Sequence, residues 1–170
     1  AGKNVGSFGD LACFSFHARK NATTGEGGMV TTESKDLFET VSSLACFGIE
    51  SALSREKEFS VPRFTRLGYN YKLSDINAAI GIEQLKKLPL LITRRRELAR
   101  LYDGLLEDVG GVAVPVTHPK AKHIYQSYVV LLDDAIDRDR VIVALRKRGI
   151  QAQIGTYSCS VQPVYRTSDR

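Results

Sequence analysis

The sequence has few cysteines and no long apolar run, and each absence excludes a class of protein. Its 170 residues include only three cysteines, Cys13, Cys46 and Cys159, which lie far apart and match no CxxC or His-Cys ligand spacing. A disulfide-dense mini-protein is therefore excluded, and reduced thiols in a cytoplasmic protein are expected. Charged residues or glycines interrupt every apolar stretch before the roughly 20 residues that a membrane span requires. No signal-peptide run follows the first four residues, so we expect a soluble protein.

Charge is present in both signs and spread along the chain. Lys and Arg number 24 against 19 Asp and Glu, and 43% of the residues are hydrophobic, which excludes a disordered tail and a collagen or mucin repeat. The length fits one domain or two small lobes. The densest basic run lies on a predicted helix without aromatic residues for base stacking, so we expect a solvated or subunit-facing surface rather than a nucleic-acid site. This run contains Lys86, Lys87, Arg94, Arg95, Arg96 and Arg100.

Residues 11–32 predict a strand, a polar loop and a second strand. An apolar run at 11–16 suits a buried strand, and the Thr/Val-rich run at 29–32 suits another. The loop between them ends in the glycine-rich stretch 25–28. These glycines alone indicate no more than a tight turn, because no Gly-Lys-Ser/Thr completes a Walker A loop and no GxGxxG opens a helix.

Helical spacing and capping residues predict most of the remaining elements. Ser34 is expected to cap a helix that ends near Gly48, and residues 49–66 are expected to form a long irregular loop. A helix capped near Ser74 is expected to break at Pro89 and to be followed by a second helix over 90–109. Beyond residue 110 we predict a small α+β unit with strands at 124–132 and 151–154, and a helix at 138–148 that Asp137 caps and Gly149 stops.

The motifs of this sequence resemble, in order, those of the DegT/StrS class of sugar aminotransferases. The resemblance covers nearly all 170 residues. It begins with Gly9-Asp10, Phe14-Ser15-Phe16, Lys20-Asn21 and Gly25-Glu26-Gly27-Gly28, and continues through residues 68–81, Gln84-Leu85, Arg96, Tyr102 and Gly149-Ile150.

This resemblance implies an α/β fold, namely the C-terminal part of a fold-type I pyridoxal-phosphate transferase large domain plus a small α+β C-terminal domain. Residues 1–109 would be the partial large, cofactor-binding domain with a long bridging helix, and residues 110–170 the small domain. The implied activity is transfer of an amino group, usually from glutamate, to a keto group of a nucleotide-linked sugar. A cytoplasmic homodimer with a site shared between subunits is implied, with no metal, nucleic acid or membrane partner.

The resemblance also assigns three site residues. Lys20 resembles the lysine that forms a Schiff base with pyridoxal phosphate, Ser15 a phosphate-anchoring hydroxyl, and Asn70 the residue that reaches the cofactor phosphate of the partner subunit. Each has a plainer alternative: a surface lysine, a serine bonded to nearby backbone, and an asparagine that caps the following helix. His17 either holds the loop or touches substrate.

General chemistry supports these residue types. A lysine amine attacks an aldehyde only when neutral, so it must be partly buried or placed beside groups that favour the neutral form. The cofactor then acts as electron sink, and a freed Lys20 can shuttle the proton at the substrate carbon. Hydroxyl and backbone N–H groups suit a phosphate dianion because they donate without adding bulk.

The length of the chain sets the alternatives. A full-length family member is about twice as long, so the resemblance implies that the N-terminal half of the cofactor site lies outside this sequence. That half would hold the aromatic residue stacked on the pyridine ring and the acid paired with its nitrogen. One hypothesis is therefore the lysine-bearing part of a sugar aminotransferase. The others are a truncated, catalytically inactive homologue acting as a dimerisation or interaction module, and a basic nucleic-acid-binding module.

Overall fold

The computed structural model describes residues 2–50 and 61–165. The chain divides into two compact units, residues 1–93 and 94–170, each of which is described by itself. The predicted domain boundary between residues 109 and 110 stays a prediction. Of the irregular loop predicted at 49–66, residues 51–60 lie outside the described residues.

The first unit begins with the predicted hairpin. Strand β1 (Ala12–Ser15) pairs antiparallel with β2 (Gly28–Thr31), and Ser15 lies opposite Gly28. Two further backbone bonds continue beyond the strands, from the Phe16 N–H to the Gly27 carbonyl at 2.9 Å and from the Thr24 N–H to the Phe16 carbonyl at 3.0 Å. The prediction of two strands joined by an elaborate loop is therefore confirmed.

Helix α1 (Lys35–Ala45) follows the hairpin. The Ser34 hydroxyl accepts from the Leu37 N–H at 3.3 Å, which confirms the predicted cap, and Asp36 in the first turn favours the helix dipole. Beyond the last turn, the N–H of Gly48 donates to the Ser43 carbonyl at 2.8 Å. The helix thus ends close to the predicted glycine.

Helix α2 (Asp75–Leu106) is continuous over 32 residues. The predicted break at Pro89 is wrong, because Pro89 lies inside this helix. A proline in a helix interior costs about 3 kcal/mol. The backbone hydrogen bonds of the long helical segments on either side of Pro89 offset this local loss. Ser74 accepts from the Asn77 N–H at 3.2 Å as the predicted cap. None of the helices in residues 2–50 and 61–165 is long and apolar enough to span a membrane.

The second unit contains a small sheet and a short helix. Strand β3 (Val112–Ala113) pairs antiparallel with β4 (Leu131–Leu132), and helix α3 (Arg138–Lys147) is followed by 3₁₀ turns at Cys159–Val161 and Pro163–Tyr165. Asp137 accepts from the backbone N–H groups of Asp139 and Arg140, both at 3.0 Å. The predicted cap of α3 is therefore confirmed, and Gly149, at a φ of 77°, follows its end as predicted.

Two strands predicted in this unit are wrong or shorter than expected. Of residues 124–132 only the last two form β4, and residues 151–154 form no strand. Tyr125 has a φ of 44°, which an extended strand does not permit. The carbonyls nearby accept from Arg95 and Arg96 instead of from a neighbouring strand. The Ala152 carbonyl likewise accepts from the Arg146 guanidinium at 2.9 Å.

The described residues bury few of their apolar side chains. Large hydrophobic residues in both units are exposed, for example Phe14, Leu67 and Val116. Ala99 is the only apolar residue among the described ones that is fully buried, at 2% exposure. The hairpin, helix α2 and the small sheet therefore present apolar faces that these residues themselves do not cover.

Candidate functional site

Lys20 lies in a tight turn directly after β1. Its backbone N–H donates to the His17 carbonyl at 2.9 Å, and the Arg19 N–H donates to His17 Nδ1 at 3.2 Å. The lysine is partly buried. Within residues 2–50 and 61–165 no hydrogen bond or ion pair reaches its Nζ atom. The turn thus fixes the backbone of Lys20 and leaves the amine available for chemistry.

Ser15 is the last residue of β1 and stands beside the same turn. Its Oγ accepts from the His17 N–H at 3.3 Å, so the hydroxyl hydrogen remains available to donate to an anion. A Cβ on its partner Gly28 would come within 2.9 Å of the Phe14 carbonyl oxygen. The close approach of these two strands therefore depends on glycine at position 28.

The glycine-rich stretch closes the loop that carries Lys20. Gly27 has a φ of 151°, and a Cβ there would lie 2.7 Å from Thr24 Oγ1 and 2.8 Å from Leu73 Cδ1. The Thr23 hydroxyl donates to the Phe16 carbonyl at 2.9 Å and accepts from the Gly25 N–H at 2.9 Å. The loop is thus held by side-chain bonds to its own backbone and by a contact that only glycine permits.

Glu26 joins the loop to helix α2 through its backbone rather than its charge. Its carbonyl accepts from the Thr24 hydroxyl at 2.8 Å and from Asn77 Nδ2 at 3.2 Å. Its carboxylate lies 3.7 Å from His17 Nε2, but that side chain is 81% exposed, so the pair contributes little to stability. Sequence reasoning missed this link, because its partners are 51 residues apart.

Asn70 lies on a separate extended segment of the first unit. The backbone of its neighbours is bonded to the end of helix α1, and Lys72 Nζ donates to its side-chain Oδ1 at 2.6 Å. Sequence reasoning missed Lys72. The available signal was its position two residues after Asn70, because alternate residues of an extended backbone point to the same side. The backbone bonds run from Tyr69 N–H to Leu44, from Phe47 N–H to Tyr69 and from Tyr71 N–H to Ala45.

The structure therefore brings two of the three predicted site residues together. Ser15 and Lys20 belong to one hairpin and are linked through His17. Asn70 shares no hydrogen bond or ion pair with either of them in the described part of the chain. Those residues also contain no cluster of three His, Cys, Asp or Glu side chains able to hold a metal ion.

The second unit holds a polar and aromatic cluster apart from this site. The Tyr128 hydroxyl donates to Asp103 Oδ1 at 2.6 Å, and its ring stacks on Tyr102 at 5.0 Å and lies 6.3 Å from Tyr125. Burial, followed by the hydrogen bond to the Asp103 carboxylate, raises the pKa of Tyr128 well above its usual range. Every described member of this cluster is bonded or stacked internally, which indicates a packing role.

Comparison with known proteins identifies the family to which this chain belongs. A model of the DegT/DnrJ/EryC1/StrS aminotransferase family matches residues 1–170. The chain belongs to this family. The resemblance of the sequence motifs is therefore confirmed.

Individual relatives are similar over nearly the whole chain. The dTDP-4-dehydro-2,3,6-trideoxy-D-glucose 4-aminotransferase of Saccharopolyspora spinosa is 37% identical over 97% of this chain and 44% of its own length. An uncharacterized protein of Methanocaldococcus jannaschii, MJ1066, is 36% identical over the same shares. Among solved structures, the Helicobacter pylori aminotransferase PseC, involved in pseudoaminic acid biosynthesis, matches with a TM-score of 0.86 and 32% identity over 96% of this chain and 43% of its own.

These matches confirm the predicted fold class. The structural neighbours are pyridoxal-phosphate-dependent sugar aminotransferases, and this chain is a partial fold-type I fold. The chain spans less than half the length of the curated relatives that it matches. Within the family fold, the described residues supply the lysine-bearing hairpin, helix α2 and the small second unit.

Proposed function

We propose that this chain supplies the lysine-bearing part of a pyridoxal-phosphate-dependent sugar aminotransferase. The substrate is a nucleotide-linked sugar whose keto group accepts the amino group, and the amino donor is glutamate. The site is shared between two subunits. The observation that carries the proposal is the Lys20 amine, which lies partly buried on a loop closed by glycines and has no partner among residues 2–50 and 61–165.

Membership of an aminotransferase family supports the reaction class. The name of the Saccharopolyspora spinosa relative specifies a dTDP-linked dehydro sugar, which supports a nucleotide-linked keto-sugar substrate. PseC is described as an aminotransferase involved in the biosynthesis of pseudoaminic acid, which supports the reaction class. Glutamate as donor and the shared dimeric site rest on the family resemblance of the sequence motifs.

The residues present fit pyridoxal phosphate, which carries an aldehyde and a phosphate dianion. Lys20 offers an unpartnered amine for the aldehyde, and Ser15 offers a free hydroxyl hydrogen for the phosphate. Asn70 offers its side-chain N–H₂ group, since its oxygen is bonded to Lys72. When bound, the cofactor supplies an electron sink that stabilises negative charge at the reacting carbon.

The chain's own contribution is to position and to move a proton. His17 accepts from the Arg19 and Lys20 backbone, so that the lysine backbone cannot swing away from Ser15. The Lys20 amine would hold the cofactor covalently. Once released, the amine would take a proton at Nζ from the substrate carbon and return it to the bound cofactor. Such a base must be kept from bulk water, which requires cover over the exposed hairpin.

The test is covalent capture of pyridoxal phosphate by the full chain. The protein is incubated with the cofactor, the absorbance of the lysine-bound form is recorded, and borohydride reduction followed by peptide mapping identifies the modified lysine. We expect modification at Lys20, its loss in Lys20→Ala, and its retention in the matched variant Lys35→Ala, whose ammonium pairs with Glu39 at 3.6 Å on exposed surface. Amino transfer is then measured as 2-oxoglutarate formed from glutamate.

Two outcomes would contradict the proposal. One is a folded wild-type chain without lysine-bound cofactor, which would favour the inactive interaction module. The other is equal labelling of Lys20→Ala and wild type, which would mean that the amine of Lys20 has no special reactivity.

A further inference from the structure

The backbone around Asn70 is fixed by hydrogen bonds, but these bonds do not determine the orientation of its side-chain amide. The backbone on either side is fixed: the Tyr69 N–H donates to Leu44 at 2.7 Å, and the Tyr71 N–H donates to Ala45 at 2.9 Å. Asn70 itself is exposed and forms a β-bridge with Cys46. Its Cα position is therefore set, while the amide can in principle present either its oxygen or its nitrogen outward.

Lys72 decides which atom is presented. An ammonium has three hydrogen-bond donors and no acceptor, so the amide atom that it meets at 2.6 Å must be the oxygen, Oδ1. Both Nδ2 hydrogens then remain available, because no acceptor among residues 2–50 and 61–165 takes them. With the opposite orientation the ammonium would face an N–H₂ group and the two would repel each other.

A second contact holds the lysine in place. Its Nζ lies 3.8 Å from the centroid of the Phe47 ring, which is a favourable cation–π distance. Phe47 is itself fixed by a bond from its N–H to the Tyr69 carbonyl at 2.8 Å. On the other side of the segment, the rings of Tyr69 and Tyr71 stack at 4.9 Å, as alternation along an extended backbone requires.

We propose that Lys72 is a positioning residue, which fixes the Asn70 amide with Nδ2 as an outward donor and so prepares it to bind a phosphate dianion. This inference rests on the proposed function, in which Asn70 reaches the cofactor phosphate of a second subunit. A phosphate only accepts hydrogen bonds at its oxygens, so the reversed amide would place an oxygen against it. The ammonium also adds a positive charge beside the anion, which attracts it even from an exposed position.

The test uses the side-chain amide of Asn70 as its own reporter. The full chain is labelled with ¹⁵N, the Asn70 side-chain N–H₂ signal is assigned by its absence in Asn70→Asp, and inorganic phosphate is added in steps. We expect phosphate to shift this signal in wild type and in Lys72→Arg, which keeps the donor, the charge and the ring contact. In Lys72→Met, which keeps the stem but loses donor and charge, we expect phosphate binding weaker by about fivefold.

A matched control removes the same charge elsewhere. Lys35 lies in the first unit and pairs with Glu39 on exposed surface, so Lys35→Met should bind phosphate like wild type. An equal loss in Lys35→Met and Lys72→Met would reduce the effect to net charge and overturn the proposal. Wild-type binding in Lys72→Met, or no response of the Asn70 signal to phosphate in wild type, would also overturn it.

A second measurement separates orientation of the amide from a structural role. Binding of pyridoxal phosphate is compared with binding of pyridoxal, which lacks the phosphate. We expect Lys72→Met to weaken only the former, whereas a merely structural defect would weaken both. The proposed function fails separately, if Lys20→Ala leaves lysine-bound cofactor unchanged, and the inorganic phosphate titration still decides the role of Lys72.

Discussion

Three consecutive arginines of helix α2 have different surroundings, and substituting each tests how the second unit is held together. Arg95 Nη1 donates to the carbonyls of Tyr125 and Gln126, both at 3.1 Å. Arg96 donates from Nε to His123 at 2.9 Å and from Nη2 to Lys122 at 3.3 Å. Arg94, by contrast, pairs with Glu97 at 2.9 Å between side chains that are 68% and 48% exposed.

The magnitudes follow from these contacts. Arg95→Met keeps the aliphatic stem and helix propensity but removes two charge-assisted bonds to carbonyls, one of them partly buried, so the segment 122–128 should lose about 2 kcal/mol of local stability. Arg96→Met should cost a similar amount. Arg94→Met removes only an exposed ion pair between residues three apart, worth about 0.5 kcal/mol at most.

Hydrogen exchange of the Tyr125 amide, whose N–H donates to His123 Nδ1 at 3.0 Å within this segment, measures the difference. Under conditions where exchange reports the opening equilibrium, about 2 kcal/mol corresponds to roughly 30-fold faster exchange in Arg95→Met. Arg94→Met should change it about twofold, and salt should reduce that small effect further. Equal acceleration by Arg94→Met and Arg95→Met, or none by either, would refute the assignment of Arg95 and Arg96 as structural anchors.

Two other substitutions test the hairpin and the tyrosine cluster by urea unfolding. Gly27→Ala should destabilise the loop by about 2 kcal/mol or more, because its Cβ would lie 2.7 Å from Thr24 Oγ1 at a φ of 151°. The Cβ of Gly25→Ala would meet no atom within 4 Å. This variant should therefore cost only about 1 kcal/mol, for the left-handed backbone at that position. Tyr128→Phe should cost about 1 kcal/mol by removing the bond to Asp103. Because burial and that bond raise the pKa of Tyr128 above 10.0, its contribution is complete below pH 10.0 and is lost as pH rises through the raised pKa, so the wild-type advantage should shrink only in strong alkali.

The helix caps and the hairpin could be predicted from the sequence, because interactions between residues close in the chain determine them. Ser34 and Asp137 cap helices as predicted, because a cap involves a side chain and the next two or three N–H groups. The hairpin was predictable from two short β-prone runs around a glycine-rich loop. Ser15 and Lys20 lie five residues apart, so one hairpin had to carry both.

The strand predicted at 124–132 was too long and the helix break predicted at Pro89 was wrong, because interactions beyond the local sequence determine the structure there. The alternation in residues 124–132 is typical of a strand, but the guanidinium groups of Arg95 and Arg96, about 30 residues away, bind the carbonyls that a strand would need. Pro89 is an unfavourable residue in any helix interior, yet the penalty at one position does not outweigh a long helix on both sides. The basic run was predicted to form a solvated or subunit-facing surface, and what the sequence did not indicate is that Arg95 and Arg96 in this run donate to backbone carbonyls.

The exposed surface of the hairpin bears on the chemistry of Lys20. Cys13 pairs with Val30, and Phe14 pairs with Met29, so both faces of this two-stranded sheet carry apolar side chains. Strands that are apolar on both faces are typical of sheets covered on both sides, yet Phe14, Met29 and Val30 are 39%, 48% and 42% exposed. An amine that must act as a neutral nucleophile and base at the end of such a strand needs the same cover to exclude water. The polypeptide that buries these faces is therefore expected to raise cofactor capture by Lys20 together with stability, whether it comes from the rest of the family fold or from a second copy of the chain.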